Sequence, residues 1–321
     1  MRFAQAMGPG RPEDVVEVST REVTAPGPGE VLVRVQVAAL NHSEILALRG
    51  GRYAEGLPFP FPLGYEGAGT VVEAGPGVDL ASGARVCWGI AVGSCAEYVT
   101  APASMLVPIP EALDAAQAAR LPSAGVTARL LTRVWPLAGK SALIWGAAGS
   151  VGRHLTALLV TGGTMVYGVA SGDRAGAVES LGAHPIDRAR VDVVDEVMKR
   201  TGGRGVDAVF DPVGAPTYRE DLAMLAPRGC LISHGELAGE LPAIDLMDLM
   251  DRGLFVTKFG GGGAFIDGLG EIAGLVGDTL AFAVDNPGVI GADGGRFPLD
   301  RVGDAYTALA AGVGGKVLVL P

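Results

Sequence analysis

Cysteine, basic residues and long apolar runs are all scarce in this sequence. Its 321 residues include three cysteines, Cys87, Cys95 and Cys230, which are too few and too scattered for a disulfide framework or a zinc ribbon. This scarcity favours a reducing, cytoplasmic setting. The longest apolar stretches, such as 155–160, are far shorter than the roughly 20 residues of a membrane span. The first residues also lack the apolar run of a signal peptide, so we expect a soluble protein without membrane contact.

The deficit of basic residues bears on the partners of the protein. With 25 Lys and Arg against 35 Asp and Glu, the net charge is −10, and such a surface repels the phosphates of nucleic acids and anionic lipids. No run of basic residues interrupts this pattern. We therefore expect no nucleic-acid partner, although a few local cations would suffice for one small phosphorylated ligand.

Glycine is abundant, with 50 residues spread along the chain without a period, which excludes collagen-like and low-complexity structures. The length suits two domains. The first third of the chain predicts short strands separated by Gly and Pro clusters, as in a compact β-barrel. These strands are at 31–37, 69–73, 85–88 and 97–100.

The pattern changes at 112–121, which predicts a helix, and strands then alternate with helices. The predicted strands are at 141–145, 164–170, 206–210, 230–233 and 254–259, and the first two helices between them are at 151–161 and 174–181. Such alternation predicts an α/β fold with a doubly wound parallel sheet. The tail returns to β-character at 316–320 and is predicted to complete the first domain.

A glycine-rich loop, Gly146-Ala-Ala-Gly149-Ser-Val-Gly152, joins the first alternating strand to its helix. Glycine permits positive φ and leaves space for a pyrophosphate, and the helix N-terminus offers N–H groups and partial positive charge. The dinucleotide fingerprint has glycine where this chain has Ala147, so the alternative is a glycine-rich turn without a ligand. Its place between strand and helix favours a dinucleotide bound by Gly146, Ala148, Gly149, Ser150, Val151 and Gly152.

The end of the second strand indicates which dinucleotide is bound. An NAD site favours an acidic side chain there, whereas this strand ends at Ser171 and Asp173 is expected to cap the next helix. Ser171, Arg174 and Arg188 can bind a 2′-phosphate. These residues favour NADPH, and the alternative is that they are ordinary surface residues.

Four segments occur in order along the chain: 64–69 (GYEGAG), 121–128 (LPSAGVTA), 146–152 (GAAGSVG) and 205–214 (GVDAVFDPVG). With the closing segments 296–300 and 315–317, they resemble the zinc-free quinone oxidoreductase branch of the medium-chain dehydrogenase/reductase superfamily. The resemblance implies a GroES-like β-barrel catalytic domain at 1–120, completed by 280–321. It also implies a Rossmann domain that binds NADPH at 121–279.

The resemblance also implies roles for single residues, each of which has packing or turn formation as its alternative. Thr127 lies where the family contacts the nicotinamide end of the cofactor. The residues that follow the later strands are implied to lie beside the adenosine and ribose, and the closing segment adds a lysine. The implied cofactor residues are Asp211, Val213, Gly214, Ser233, Gly235 and Lys316.

Zinc-dependent relatives place a cysteine where this chain has Asn41 and a His-Glu pair where it has Tyr65 and Glu66. Because zinc prefers thiolate and imidazole ligands, we expect no metal. A substrate carbonyl would then be stabilised by hydrogen bonds, for which Asn41 and Tyr53 are the candidate catalytic donors. Segment 41–53 also resembles enoyl reductase domains of polyketide synthases. The alternatives are a helix cap for Asn41 and a packed ring for Tyr53.

These observations predict an enzyme that transfers a hydride from NADPH to a quinone or another conjugated carbonyl compound, without zinc. Two alternatives remain open: an enoyl or enone reductase in a biosynthetic pathway, and an NADPH-binding sensor or scaffold with little turnover. The resemblance implies that 254–259 is an edge strand through which two copies pair. A homodimer is therefore expected.

Overall fold

A computed structural model describes residues 1–260 and 263–321, and the side chains of these residues except 263 and 269. The chain forms two compact units, Met1–Val126 with Asp267–Pro321, and Thr127–Ile266.

The N-terminal part contains strands and short helices. They are β1 (Arg2–Ala6), α1 (Pro12–Val15), β2 (Val16–Thr20), β3 (Glu30–Ala39), α2 (His42–Arg49), β4 (Phe61–Pro62), β5 (Glu66–Ala74), β6 (Arg85–Trp88), β7 (Tyr98–Pro102), β8 (Val107–Pro108) and α3 (Ala115–Ala119).

The central part alternates helices and strands. They are α4 (Pro122–Thr132), β9 (Ser141–Trp145), α5 (Ser150–Thr161), β10 (Met165–Ala170), α6 (Ala175–Glu179), β11 (His184–Asp187), α7 (Val193–Arg200), β12 (Val206–Asp211), α8 (Tyr218–Met224), β13 (Leu225–Ser233), α9 (Met247–Met250) and β14 (Phe255–Lys258). The C-terminal part contains α10 (Leu269–Asp285), β15 (Asp293–Pro298), α11 (Val302–Ala310) and β16 (Lys316–Leu320).

The first unit is built around β3, whose alternating sequence explains its burial. Val33 and Val35 are buried whereas Arg34 between them is exposed, as expected for a strand with one face on a core. β3 pairs with β5, β7 and β16 in a seven-stranded sheet ordered β15-β16-β3-β5-β6-β8, with β7 beside β3. The C-terminal strand β16 therefore completes the sheet of the N-terminal strands, as the tail sequence predicts.

The second unit contains a six-stranded sheet in the order β11-β10-β9-β12-β13-β14, and every pairing in it is parallel. Numbered from β9, this is the Rossmann order 3-2-1-4-5-6. The strand order reverses between β9 and β12, and ligands of such sheets bind outside the carboxyl ends of the strands at this point. The predicted α/β fold is confirmed. The loops after β9, β10, β12 and β13 are therefore the candidate ligand-binding loops of this sheet.

The division of the chain differs from the predicted boundaries at 120/121 and 279/280. The structure divides the chain after Val126 and after Ile266, so α10 belongs to the first unit. This helix packs against β8 and the 3₁₀ helix Ala103–Met105. Its glycines, among them Gly270, Gly274 and Gly277, obscure the apolar pattern by which a helix is recognised. The predicted range 121–279 also includes residues 261–262, which lie outside the described residues.

Candidate functional site

The loop after β9 has the geometry of a pyrophosphate turn. Gly146 has φ +65°, a conformation that L-residues with a side chain rarely adopt, and its carbonyl accepts from the Gly149 N–H at 2.8 Å. A Cβ at Gly152 would lie 2.2 Å from the Gly146 carbonyl oxygen, so no side chain fits there. The turn delivers Ser150 to the start of α5, where the first N–H groups of a helix have no partner within it.

The predicted phosphate residues after β10 come together only in part. The Arg188 Nε donates to the Ser171 hydroxyl at 3.0 Å, whereas Arg174 is exposed at the end of the 3₁₀ helix Gly172–Arg174. The expectation that Asp173 caps the next helix was wrong. That 3₁₀ turn delays the start of α6, and Arg174 is the residue preceding it.

Asp187 is an acidic residue beside this pair that the sequence analysis missed. Its carboxylate accepts from the backbone N–H groups of Gly172 at 3.1 Å and Ala189 at 3.0 Å. It also pairs with Arg190 at 3.3 Å. The two backbone hydrogen bonds are the main reason that its pKa is lowered. Ala170 ends β10 and pairs with Asp187, which ends β11. A prediction that these two strands are parallel neighbours would have placed Asp187 beside Ser171.

Asp211 ends β12 and shapes the turn that follows. Its carboxylate accepts from the N–H groups of Val213 at 2.6 Å and Gly214 at 2.9 Å. Asp221 lies near it and accepts from the Trp145 Nε1 at 2.6 Å, and burial together with the charge of Asp211 raises the pKa of Asp221 to about 9. Burial raises the pKa of Asp211 as well. Asp211 nevertheless accepts two backbone hydrogen bonds that favour its anion, so it is the charged member of the pair and Asp221 the protonated one.

Ser233 and Gly235 follow β13 and are held by Lys258, which the sequence analysis missed. The Lys258 ammonium donates to the Ser233 hydroxyl at 3.2 Å and to the Gly235 carbonyl at 3.1 Å. It also pairs with the buried Glu236 at 2.9 Å. Lys258 ends β14, the neighbour of β13. The lysine thus fixes the backbone of this predicted cofactor segment.

In the first unit, Asn41, Glu66 and Lys316 form a buried polar cluster. The Asn41 Oδ1 accepts from the Lys316 Nζ at 2.5 Å, and its Nδ2 donates to the Glu66 carboxylate at 2.8 Å. Glu66 also forms an ion pair with Lys316, and both side chains are almost fully buried. The ammonium and the carboxylate leave only one orientation for the amide. Lys316, predicted to bind the cofactor, thus pairs with Glu66 and Asn41.

This cluster is connected to the start of α4, which carries Thr127. The second carboxylate oxygen of Glu66 accepts from the Ser123 backbone N–H at 2.8 Å, in the first turn of that helix. Thr127 is partly buried further along the same helix. The sequence analysis assigned no role to Glu66. The ion pair between Glu66 and Lys316 could not be predicted, because the two residues lie far apart along the chain.

Asn41 also has the helix-capping position that was its alternative role. It precedes α2, and its backbone N–H donates to the Glu44 carboxylate at 2.9 Å. The second Nδ2 contact, with the Ala39 carbonyl, is 3.5 Å long, at the limit of a hydrogen bond. Tyr53 is partly buried in the 3₁₀ helix Gly51–Tyr53 that follows α2.

Comparison with known proteins identifies the family. The model of the alcohol dehydrogenase GroES-like domain matches residues 27–111, and that of the zinc-binding dehydrogenases matches 150–272. A quinone oxidoreductase of Pseudomonas aeruginosa is 31% identical over 100% of this chain and 99% of its own. The chain belongs to the quinone oxidoreductase branch of the medium-chain dehydrogenase/reductase superfamily. The predicted family and its two-part fold are thereby confirmed.

Other relatives and solved structures agree with this assignment. The 2-haloacrylate reductase of a Burkholderia species is 33% identical, with 78% of each chain aligned. The human synaptic vesicle membrane protein VAT-1 homolog is 35% identical over 69% of this chain. The aligned part covers only 58% of the length of that relative. The Escherichia coli quinone oxidoreductase in complex with NADPH superposes with a TM-score of 0.88 at 25% identity, over 100% of both chains. A mycobacterial protein in complex with NADPH superposes with a TM-score of 0.87 at 30% identity, also over 100% of both chains.

The name of the second family model raises the question of zinc. The polar groups at positions 41 and 65 are an amide and a phenol, which are poor zinc ligands. The ammonium of Lys316 also contacts Asn41 and Glu66, so a cation is already present in this cluster. Among residues 1–260 and 263–321, no group of three or more His, Cys, Asp or Glu side chains is arranged to hold a metal. The residues present do not fit a zinc ion.

Proposed function

We propose that this protein is an NADPH-dependent oxidoreductase that transfers a hydride to a quinone or another conjugated carbonyl compound without zinc. The observation that carries the proposal is the tight β9–α5 turn, in which Gly146 has positive φ and Gly152 packs without a side chain against the backbone of the turn, at the switch point of the sheet. The NADPH complexes of the Escherichia coli and mycobacterial structures support it. The whole-length similarity to a quinone oxidoreductase supports the acceptor class.

When bound, NADPH supplies the hydride, and the protein positions the acceptor and stabilises the charge that develops on it. Asn41 is proposed to donate to the carbonyl oxygen of the acceptor. Its Nδ2 hydrogen near Ala39 is the available one, because that contact is long whereas the contact with Glu66 is short. The hydroxyl of Tyr53 is proposed as a further donor in the acceptor site.

Reduction of an enone or enoyl compound is the second candidate within the same chemistry. It is favoured by the similarity to 2-haloacrylate reductase, whose name denotes a conjugated acceptor with a reducible C=C bond. The two candidates differ in the acceptor and not in the proposed roles of the residues.

An acceptor assay tests this function. Oxidation of NADPH is followed at 340 nm with a panel of quinones and a panel of enones, using protein whose zinc content has been measured. We expect turnover with members of at least one panel, no stoichiometric zinc, and unchanged activity after dialysis against a chelator. One firmly held zinc per chain would contradict the metal-free mechanism. NADPH binding without turnover would favour the alternative of an NADPH-binding sensor or scaffold.

The preference for NADPH over NADH is expected to depend on Arg188. We predict that NADPH binds at least about tenfold more tightly, or roughly 1.4 kcal/mol, because Arg188 and Ser171 form a hydrogen-bonded pair that suits a 2′-phosphate. Replacing Arg188 with Ala should remove most of this preference by weakening NADPH binding alone. Fluorescence titration of both cofactors provides the measurement.

The matched control for Arg188→Ala is Lys199→Ala, which removes an exposed cation from α7. The control should bind both cofactors like the parent protein, since general surface charge contributes little to one specific phosphate contact. Equal affinities for the two cofactors in the parent would contradict the assignment. Asp187 would then be the first acidic residue to consider as a ribose ligand.

A homodimer in the cytoplasm is proposed as the assembly and location. β14 is the edge strand of its sheet, and large apolar side chains near it in sequence are exposed: Leu246 by 76%, Met247 by 62%, Met250 by 60% and Phe255 by 50%. An uncovered apolar edge promotes aggregation, so pairing of two copies would protect it. Light scattering should give twice the mass of one chain.

Among the described residues, no helix is both long and apolar enough to span a membrane.

A further inference from the structure

The hydroxyl of Tyr65 lies in a small group of hydroxyls beside the Asn41 cluster. The Tyr65 Oη and the Ser43 Oγ are 2.7 Å apart, and the side chain of Ser123 also hydrogen-bonds to Tyr65. Ser43 is exposed in the first turn of α2, whereas Tyr65 is partly buried. The three side chains therefore connect the solvent-exposed Ser43 with two partly buried residues of the first unit, Tyr65 and Ser123.

The neighbouring ionisable groups are committed to partners of their own. Glu66, the next residue, accepts from Asn41 and the Ser123 backbone and pairs with Lys316. Glu44 accepts from the Tyr306 hydroxyl at 2.6 Å and from the Gly64 N–H at 2.8 Å. These carboxylates already accept hydrogen bonds from named donors. The hydroxyls of Tyr65 and Ser43, in contrast, can exchange protons with each other.

We propose that Tyr65 is the proton donor for the reduced acceptor and that Ser43 returns the proton to it from solvent. The inference rests on the function proposed above. Once a hydride has been added to the acceptor, its carbonyl oxygen carries the negative charge. The Tyr65 O–H bond breaks, a new O–H bond forms at that oxygen, and the Ser43 hydroxyl passes its own proton to the Tyr65 Oη. Ser43 regains a proton from water, which leaves hydroxide in the buffer.

The surroundings of Tyr65 require that the two transfers occur together. Burial is the main reason that the pKa of Tyr65 is raised, and the charges of Glu44 and Glu66 raise it further. A free tyrosinate would therefore be costly at this position, and the tyrosine stays protonated between turnovers. Because Ser43 replaces the proton as it leaves and takes one from water in the same event, no charge needs to accumulate on the phenol or on the serine. Tyr65 thus acts as an acid through its exposed partner.

The test compares Tyr65→Phe and Ser43→Ala with the parent protein. We expect Tyr65→Phe to lower kcat for an enone by about 10²-fold or more, the range of a positioned general acid. The effect on a quinone should be smaller, because its hydride adduct is a more stable anion that water can protonate. Ser43→Ala should lower kcat for the enone by about tenfold, since water can replace a serine imperfectly. Both variants should reduce the solvent deuterium isotope effect on enone turnover.

Two measurements without turnover accompany the kinetics. The Kd of NADPH should be unchanged in both variants. The Kd of a saturated ketone, an unreactive analogue with the same carbonyl group, should rise about fivefold to tenfold in Tyr65→Phe with NADP⁺ present, because one hydrogen bond to the ligand is lost. Tyr98→Phe, a substitution on β7, is the matched control and should change none of these values.

The outcomes separate this inference from the proposed function. If the parent protein reduces enones and both variants retain its kcat and isotope effect, Tyr65 is not the donor, and a large loss in Tyr53→Phe would assign that role to Tyr53. If Tyr65→Phe does not fold, Ser43→Ala decides, because its residue is exposed and its relay role predicts the tenfold loss. A parent protein that reduces no acceptor of either panel overturns the proposed function and this inference together.

Discussion

Replacing Lys316 with Met is expected to lower turnover by about 10²-fold with quinones and enones alike, the size of effect seen when one oxyanion donor is lost. The ammonium holds the Asn41 Oδ1 and thereby directs the Nδ2 of the same amide. Without it, the amide loses one of the two contacts that fix its orientation, and only the hydrogen bond to Glu66 remains. Asn41→Ala should give a similar loss with both acceptors, because a donor at the carbonyl serves either one.

Loss of stability is the competing explanation, since Lys316→Met leaves the buried charge of Glu66 without its ion-pair partner. Breaking one member of a buried pair commonly destabilises a protein by about 3–5 kcal/mol, whereas replacing both members is often neutral. The double variant Lys316→Met/Glu66→Gln should therefore recover most of the lost Tm. Its kcat should remain low, because the ammonium that holds the Asn41 Oδ1 is still absent. Recovery of kcat together with Tm would show that the pair has only a structural role.

Replacing Gly152 with Ala is expected to weaken NADPH binding by at least about 10²-fold, or roughly 2.8 kcal/mol. The added Cβ would lie 2.2 Å from the Gly146 carbonyl oxygen and 2.8 Å from the Ala147 Cα. Both are backbone atoms, so the turn itself must move, and with it the N–H groups that we propose to face the pyrophosphate. Isothermal titration with NADPH provides the measurement.

Two further glycines make a graded control for this substitution. A Cβ at Gly149 would lie 3.1 Å from the Gly146 carbonyl oxygen, a contact that a small shift relieves, and a Cβ at Gly176 on α6 would have no atom within 4 Å. Gly149→Ala should therefore have a moderate effect on the Kd, and Gly176→Ala should have none. Unchanged binding by Gly152→Ala, with the protein folded, would exclude this turn as the pyrophosphate site. If Gly152→Ala does not fold, the comparison of Gly149→Ala with Gly176→Ala decides.

The sequence predicted the fold well because its signals are local. The strand at 141–145 was predicted with the bounds of β9, and the helix at 151–161 differs from α5 by one residue. In each case the periodicity and the following glycines lie within a short window. α10 was not predicted, because its glycines disrupt the apolar pattern, and its packing against β8 and the 3₁₀ helix Ala103–Met105 makes the helix stable.

The geometry of the candidate site could be predicted only where its residues are close in sequence. The turn at 146–152 follows from one segment, whereas the partners of Asn41 come from positions 66 and 316. No periodicity connects such residues, since the tertiary fold alone brings them together. Lys258 and Asp187 were missed for the same reason, because each acts on the end of a neighbouring parallel strand. The Tyr65–Ser43 contact likewise depends on how α2 packs beside the start of β5.

The most direct measurement of the central claim uses NADPH labelled with deuterium at the transferred position of C4. The label should appear in the product of an enone reduced by this protein, as one deuterium per molecule on the β-carbon, in mass spectra and NMR spectra. This result is expected because the proposed reaction passes the hydride directly between cofactor and acceptor, with no metal and no exchange with solvent. A product that carries only solvent hydrogen at the β-carbon would contradict the account.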